Sequence, residues 1–413
     1  MAPAIELAEK GFIIYPDLAE DIEDQKAVLG QFPDSKKIFL NADGSARKAG
    51  ELLVQKDLGK TLRRIAKRGR AEFYSGETAR AIAASHRLHG GLITMNDMKN
   101  YNVAWRKPIW GEYKGLRIAS MPPPSSGGTH VVEILNILSG LDLSKGQAFP
   151  QTIHFTASAM QRAFADRAAF LGDTDFVKVP IGGLLSKDYA QKLREQIHPN
   201  VAQPSSDVSA GAPWPFDFPY ESKETTHFTV MDKDGNAVSS TQTINTGFGS
   251  GAVAEGTGIV MNNEMDDFSA KPGASNAFGA IGSENNAIAP GKRPLSSMSP
   301  TIVFRGESPV MALGTPSGTR IITCVAQTIL NYFEHKLPLF ESVASVRYHH
   351  QWSPDVISVD PPGFPAPLEH KLRSMGHSIR TASLGCQVNA IAREGSLLHG
   401  VSDPRGEGMS FGK

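Results

Sequence analysis

The residues of this chain that could do chemistry are hydroxyl-bearing and acidic, and they gather in its second half. Glu224-Thr225-Thr226-His227-Phe228 puts two hydroxyls at the first residues of a β-prone run, and Thr241-Gln242-Thr243-Ile244-Asn245 lies on the run that would pair with it. Next come a Gly-rich loop from Thr246 to Gly251, the acidic Asn262-Asn263-Glu264-Met265-Asp266-Asp267-Phe268, the Ser-rich Pro294-Leu295-Ser296-Ser297-Met298-Ser299-Pro300, and Gly314-Thr315-Pro316-Ser317-Gly318-Thr319-Arg320. An amide is a poor electrophile. Cleaving one at neutral pH takes a nucleophile with a base beside it and donors aimed at the developing oxyanion. Thr is also a common strand former, so Thr225-Thr226 alone reads as ordinary strand. The segments that follow it give it meaning.

Other candidates carry less. Pro122-Pro123-Pro124-Ser125-Ser126-Gly127-Gly128 is a rigid turn that could deliver a helix N-terminus, but it lacks the Gly-Lys-Ser/Thr ending of a phosphate loop. Asp232-Lys233-Asp234-Gly235-Asn236 has its Gly fourth rather than sixth and lies between strands, which disfavours a calcium loop. His349-His350 are adjacent, so they point in different directions in a helix or a strand, and no metal site is expected. No Gly-x-Ser-x-Gly elbow supports a Ser-His-Asp triad. His227 is expected to pack or hydrogen-bond locally. Cys324 and Cys386 cannot build a disulfide framework and do not have zinc spacing, so they read as small buried hydrophobes.

The elements that must position these residues change character along the chain. Apolar residues at helical spacing mark Asp17 to Phe32, Leu62 to Ala71, Ala79 to Leu88, Val131 to Leu138 and Thr152 to Leu171, with one strand at Leu116 to Met121. From Pro199 to Glu224 neither period holds, which reads as an exposed linker. Strands follow at Thr225 to Met231 and Ala237 to Ile244, joined as a hairpin, and at Gly258 to Asn262, Pro300 to Phe304 and Val310 to Leu313. Helices are expected at Thr319 to Phe333 and Leu339 to Val346. Helices first and strands after suggest sheets covered by helices, an α/β or α+β protein of two segments. The 413 residues carry 42 basic and 42 acidic side chains, and this zero balance argues against a nucleic-acid partner. No run of 18 apolar residues occurs, and Glu6, Glu9 and Lys10 interrupt the start where an export signal would need apolar residues.

Taken together, these segments resemble the γ-glutamyltransferase (γ-glutamyl transpeptidase) family of N-terminal nucleophile (Ntn) hydrolases. The similarity includes Met121 to Gly128, Ala165 to Asp173 and His349-His350-Gln351-Trp352. It implies a four-layer αββα sandwich and a precursor that cuts itself between Glu224 and Thr225. Residues 1–224 would then form a large-subunit-like segment ending in a linker at about 199–224, and residues 225–413 a small-subunit-like one. A terminal Thr225 would carry both hydroxyl and base, because an α-amino group has a pKa of about 7.7 to 8.0. The resemblance places Thr243 beside the nucleophile, the amides of Ser317 and Gly318 on the oxyanion, Glu264, Asp267 and Asn245 on the substrate ammonium, and Ser296 and Ser297 on its carboxylate. It implies glutathione or another γ-glutamyl amide as donor, and water, an amino acid or a peptide as acceptor. No cofactor or metal is implied. A glutaryl or cephalosporin acylase of the same fold is the nearest alternative, disfavoured by Asp267 because a glutaryl group has no ammonium; an inactive remnant is the other.

Departures from the family pattern accompany this. Ser317 replaces the first Gly of a Gly-Gly pair and would be strained at positive φ. Phe278, in the lid loop Ser269 to Gly282, stands where many bacterial relatives have Tyr. Met1 to Phe12 matches an interior part of the large subunit, so an upstream portion with a signal peptide and a substrate-binding Arg is expected to be missing. The relatives are mostly periplasmic, secreted or surface-bound, while this chain carries no address of its own.

Overall fold

A computed structural model describes residues 1–213, 226–269, 271 and 281–412. Glu224, Thr225 and Phe278 lie outside the described residues. The chain divides into two compact units, Met1–Trp105 with Ile244–Glu264, and Arg106–Thr243 with Met265–Lys413.

The smaller unit is built from short helices, as the helical periodicity of the first hundred residues requires. The expected helix from Asp17 breaks into Pro16–Asp24 and Lys26–Leu29, and the next into Lys56–Arg68 and Arg70–Ser75, while Glu77–Leu88 is continuous. Ile14, Ile22, Leu29, Phe39, Leu53 and Phe248 form its core, with Phe39 and Phe248 edge to face. Glu72 is buried there and accepts from Arg64, Arg68 and Thr78, which hold its carboxyl down at about 2 despite burial.

The larger unit centres on a six-stranded antiparallel sheet. Its strand order is Leu397–Ser402, Asn389–Glu394, Ser308–Gly314, Thr301–Arg305, Leu116–Ser120, Ile109–Tyr113. Register is fixed by pairs such as Met311↔Ala392 and Ile118↔Val303. Alternation then sorts the side chains. Met311 and Leu313 enter the core with Val131, Ile134, Ile321 and Val325 of the covering helices. Gly314, of opposite parity, meets the ring of His227 on the hairpin Thr226–Met231/Ala237–Gln242. That hairpin stacks on the central strands, where Ser239 Oγ donates to Leu313 O at 3.0 Å. Helices, sheet and second sheet therefore lie in succession, as the sequence leads one to expect.

The helices Gly127–Leu138, Pro150–Phe170 and Arg320–Ile329 are internal, and Gly127–Leu138 is buried at every position. Its opening glycines are required by close approach: a Cβ at Gly127 would meet Met298 O at 2.0 Å, and one at Gly128 would meet Met121 O at 2.2 Å. Glu133 and His130 of this helix, Asp166 of the next and Tyr189 form a buried polar cluster, with His130 Nδ1 2.5 Å from Glu133 Oε2 and Tyr189 OH donating to Asp166. Burial raises Glu133 to about 8, and burial together with the neighbouring Glu133 raises Asp166 to about 8.

Other features add to or correct what the sequence announced. In the described part of the expected linker, Trp352 Nε1 donates to Ser205 O and Val208 O, Gln161 Nε2 to Gln203 O at 3.0 Å, and Gly211 N–H to Asp166 Oδ1 at 2.8 Å. Residues 199–211 have no periodicity because side chains of other elements, rather than a regular ladder, satisfy their backbone. Cys324 and Cys386 are buried as expected, but they are joined in a disulfide across 62 residues of sequence. Strands at Ile109–Tyr113, Asn389–Glu394 and Leu397–Ser402 were not expected: the inward residues of the second are the small Ala390 and Ala392, and the third contains Gly400 and has no buried residue.

Candidate active site

The Ser-rich loop is held by the Pro-rich turn. Ser296 N–H donates to Pro124 O at 2.8 Å, Ser126 N–H returns to Ser296 O at 2.8 Å, and Ser125 Oγ reaches Met298 O at 2.7 Å. Met298 N–H donates to Ser296 Oγ at 3.1 Å, and Arg167 Nη2 donates to Ser297 Oγ at 3.1 Å while its Nε donates to Ser126 Oγ at 2.9 Å. Both hydroxyls thus accept from the protein, which leaves the O–H of each as a donor to an anion. Ser296 and Ser297 are buried, so that donation takes place away from bulk water.

The acidic segment forms the 3-10 turn Glu264–Asp267, in which Glu264 and Asp267 stand three residues apart. Asp267 is buried, and its carbonyl accepts from Asn286 Nδ2 at 2.8 Å. Asn286 Oδ1 in turn accepts from Leu295 N–H at 2.8 Å. A single amide side chain thereby ties the residue expected on the ammonium to the loop expected on the carboxylate. Asn245 and Glu264 belong to the smaller unit. There Asn245 has φ 78° and donates from Nδ2 to Asn263 O at 3.1 Å, and Glu264 N–H donates to Asn262 Oδ1 at 3.0 Å.

Gly314-Thr315-Pro316-Ser317-Gly318 runs from a central strand into the helix Arg320–Ile329. Both residues stand at positive φ, Ser317 at 108° and Gly318 at 51°, so the condition under which Ser317 would be strained is met. The Ser317 hydroxyl donates to Leu384 O. Unpaired amides at such a helix start favour negative charge.

At the hairpin, Thr226 pairs with Gln242, the last residue of its strand, and Thr243 follows directly after it. His227 packs locally as expected: Nδ1 lies 2.9 Å from Thr241 Oγ1, and burial pushes the ring down to about 3, so it is neutral. A Cβ at Gly314 would meet the ring at 2.3 Å, which is why Gly occupies that position.

The sequence profile of the family described as "Gamma-glutamyltranspeptidase" matches residues 1–412. The chain belongs to the γ-glutamyltranspeptidase family. It is 44% identical over 406 residues to the glutathione hydrolase proenzyme of Escherichia coli K12, covering 98% of this chain and 69% of that protein. It is 40% identical over 431 residues to the proenzyme of the same name from Pseudomonas sp. strain A14, covering all of this chain and 73% of that one. Among solved structures, the cephalosporin acylase of Bacillus halodurans superposes with a TM-score of 0.87 at 29% identity, over 99% of this chain and 73% of that one. The fold is the Ntn-hydrolase αββα type.

For a γ-glutamyltranspeptidase-family chain, the described residues bring Ser296, Ser297 and Asp267 into one hydrogen-bonded frame and set Ser317-Gly318 at positive φ ahead of the helix Arg320–Ile329. Sequence reading missed Arg167, Asn286 and Leu384. Arg167 lies within the resembling stretch Ala165 to Asp173, yet nothing in its spacing pointed to Ser297, 130 residues away. His349 and His350 are taken up by Thr323 and Gln351, and by Asp355. No described helix is long and apolar enough to cross a membrane.

Proposed function

We infer that this protein is a γ-glutamyltransferase/glutathione hydrolase, an Ntn hydrolase made as a proenzyme. The observation that carries this reading is the paired frame of Ser296-Ser297 with Arg167 behind it and Asp267 joined to it through Asn286. Donors and an acid side by side suit a group bearing both carboxylate and ammonium, as a γ-glutamyl group does and a glutaryl group does not.

In the proposed sequence, the Thr225 hydroxyl attacks the carbonyl of Glu224 and the peptide bond is replaced by an ester, which water hydrolyses. Fragments of 224 and 189 residues result. The freed α-amino group then takes the hydroxyl proton as Thr225 Oγ1 attacks the γ-glutamyl carbonyl. The tetrahedral oxyanion accepts from the amides of Ser317 and Gly318, the leaving amine collects the proton, and a γ-glutamyl ester remains on Thr225. Water or an acceptor amine repeats the attack and releases the product. Thr243 supports the nucleophile, while Glu264, Asn245 and Asp267 accept from the substrate ammonium.

Denaturing electrophoresis and paired anilide substrates test this. Two fragments and turnover of the γ-glutamyl anilide over the glutaryl anilide are expected, and Thr225→Ala should give a single uncut chain. Splitting at the same bond in that variant would remove Thr225 as nucleophile, and preference for the glutaryl anilide would establish the acylase reading instead.

A further inference from the structure

Ser317 stands at φ 108°, a conformation that L side chains rarely adopt and that persists only where the surroundings over-determine it. What over-determines it is the segment Leu384 to Gln387. The Ser317 hydroxyl donates to Leu384 O, and two residues earlier Thr315 Oγ1 accepts from Gln387 N–H at 2.8 Å. Between these contacts in sequence lies Cys386, bonded to Cys324 in the helix that follows the Ser317-Gly318 turn. The loop is therefore tied to one segment before, at and after its strained residue.

That segment has its own anchors. Leu384 N–H donates to Asp360 Oδ1 at 2.8 Å, Arg347 Nη2 donates to Cys386 O at 3.0 Å, and Val388 N–H donates to Asp403 Oδ2 at 2.9 Å. Arg347 is fully buried and paired with Asp403 at 2.7 Å. The acceptor for the Ser317 hydroxyl is thus fixed on a rigid base and does not follow the loop.

We propose that Ser317 is a positioning residue for the oxyanion donors. Its hydroxyl bond to Leu384 O, with the Cys324–Cys386 disulfide holding helix and segment at a fixed separation, stands in for the conformational freedom that a glycine would supply. The proposal rests on the reading that the amides of Ser317 and Gly318 receive the oxyanion. The two substitutions at this position separate the effects. Ser317→Ala keeps a Cβ at positive φ and loses the bond, whereas Ser317→Gly loses the bond and the strain together.

The test uses fully processed full-length protein, with kcat and KM for a γ-glutamyl anilide and affinity for a tetrahedral γ-glutamyl phosphonate. Ser317→Ala is expected to lower kcat about 10-fold, less than outright removal of an oxyanion donor, with KM within about two-fold. Ser317→Gly should lie between the parent and Ser317→Ala. The pair Cys324→Ala/Cys386→Ala should also lower kcat, and adding Ser317→Ala to it should cost less than Ser317→Ala does alone, because both act on one loop. A Ser317→Gly variant slower than Ser317→Ala would overturn the proposal, since the side chain would then act by its own contacts. So would additivity of the serine and cysteine changes, or equal kcat for all three residues at 317. If kcat follows the expected order while phosphonate affinity stays constant, the positioning stands and the oxyanion assignment fails. The serine comparison decides the matter even if the cysteine pair does not fold.

Discussion

Replacing Glu133 by Gln should make the protein more resistant to alkali. Glu133 is wholly buried in the helix Gly127–Leu138, against His130 and facing Asp166. His130 offers no compensating charge, because burial pushes its ring down to about 3. The Glu133 carboxyl titrates at 4.5 ordinarily and at about 8 in the folded protein. Between those pH values the folded state binds more protons than the unfolded chain, so stability falls as pH rises. Below about pH 4 the group is protonated in both states and contributes nothing; above about pH 8 the full penalty applies. At about 1.4 kcal/mol per tenfold change in proton affinity, the ceiling is about 5 kcal/mol. Relaxation and a partly screened interior bring the expected gain for Glu133→Gln to about 2 kcal/mol at pH 9. Gln keeps the shape and can donate to Asp166, so at pH 5 the variant and parent should agree within about 0.5 kcal/mol. Urea unfolding followed by tryptophan fluorescence at pH 5, 7 and 9 measures this. A difference in midpoint that is the same at pH 5 and pH 9, or a variant weaker at pH 9, would refute the shared burial of protonated carboxyls.

Other expectations concern the site and its supports. Arg167→Lys cannot reach Ser126 and Ser297 together, and loss of a charge-assisted bond of about 1.5 to 3 kcal/mol predicts at least a 10-fold rise in KM for the γ-glutamyl anilide; an unchanged KM would detach Arg167 from substrate binding. Asp267→Asn should weaken γ-glutamyl binding by roughly 10-fold or more while leaving glutaryl anilide binding unaffected, because only the former carries a cation; equal losses on both would deny Asp267 its role. Gly314→Ala forces a methyl to 2.3 Å from the His227 ring and should cost about 1 to 3 kcal/mol, read as a lower thermal midpoint; a midpoint equal to that of the parent would mean the hairpin yields.

The recognition of this chain came from short segments whose residue types are set by chemistry, and the helices and central strands came from apolar periodicity that survives in any context. The segments that carry Ser296, Ser297, Asp267, Ser317 and Gly318 stood out in that way. Some features depended on contacts between residues far apart in sequence, and for those the spacing carries no signal. The Cys324–Cys386 bond closes 62 residues, the Arg167 contact with Ser297 spans 130, and Trp352 pins the supposed linker across 144. The inner strand Asn389–Glu394 and the edge strand Leu397–Ser402 are likewise settled by their neighbours: the first alternates in burial, but its inward residues are the small Ala390 and Ala392 while Ile391 is half-buried on the other face, and the second has no buried residue to mark a period. Local sequence fixes what a segment prefers and which groups it carries. Only packing fixes which distant group satisfies each buried donor, because that choice belongs to the whole chain.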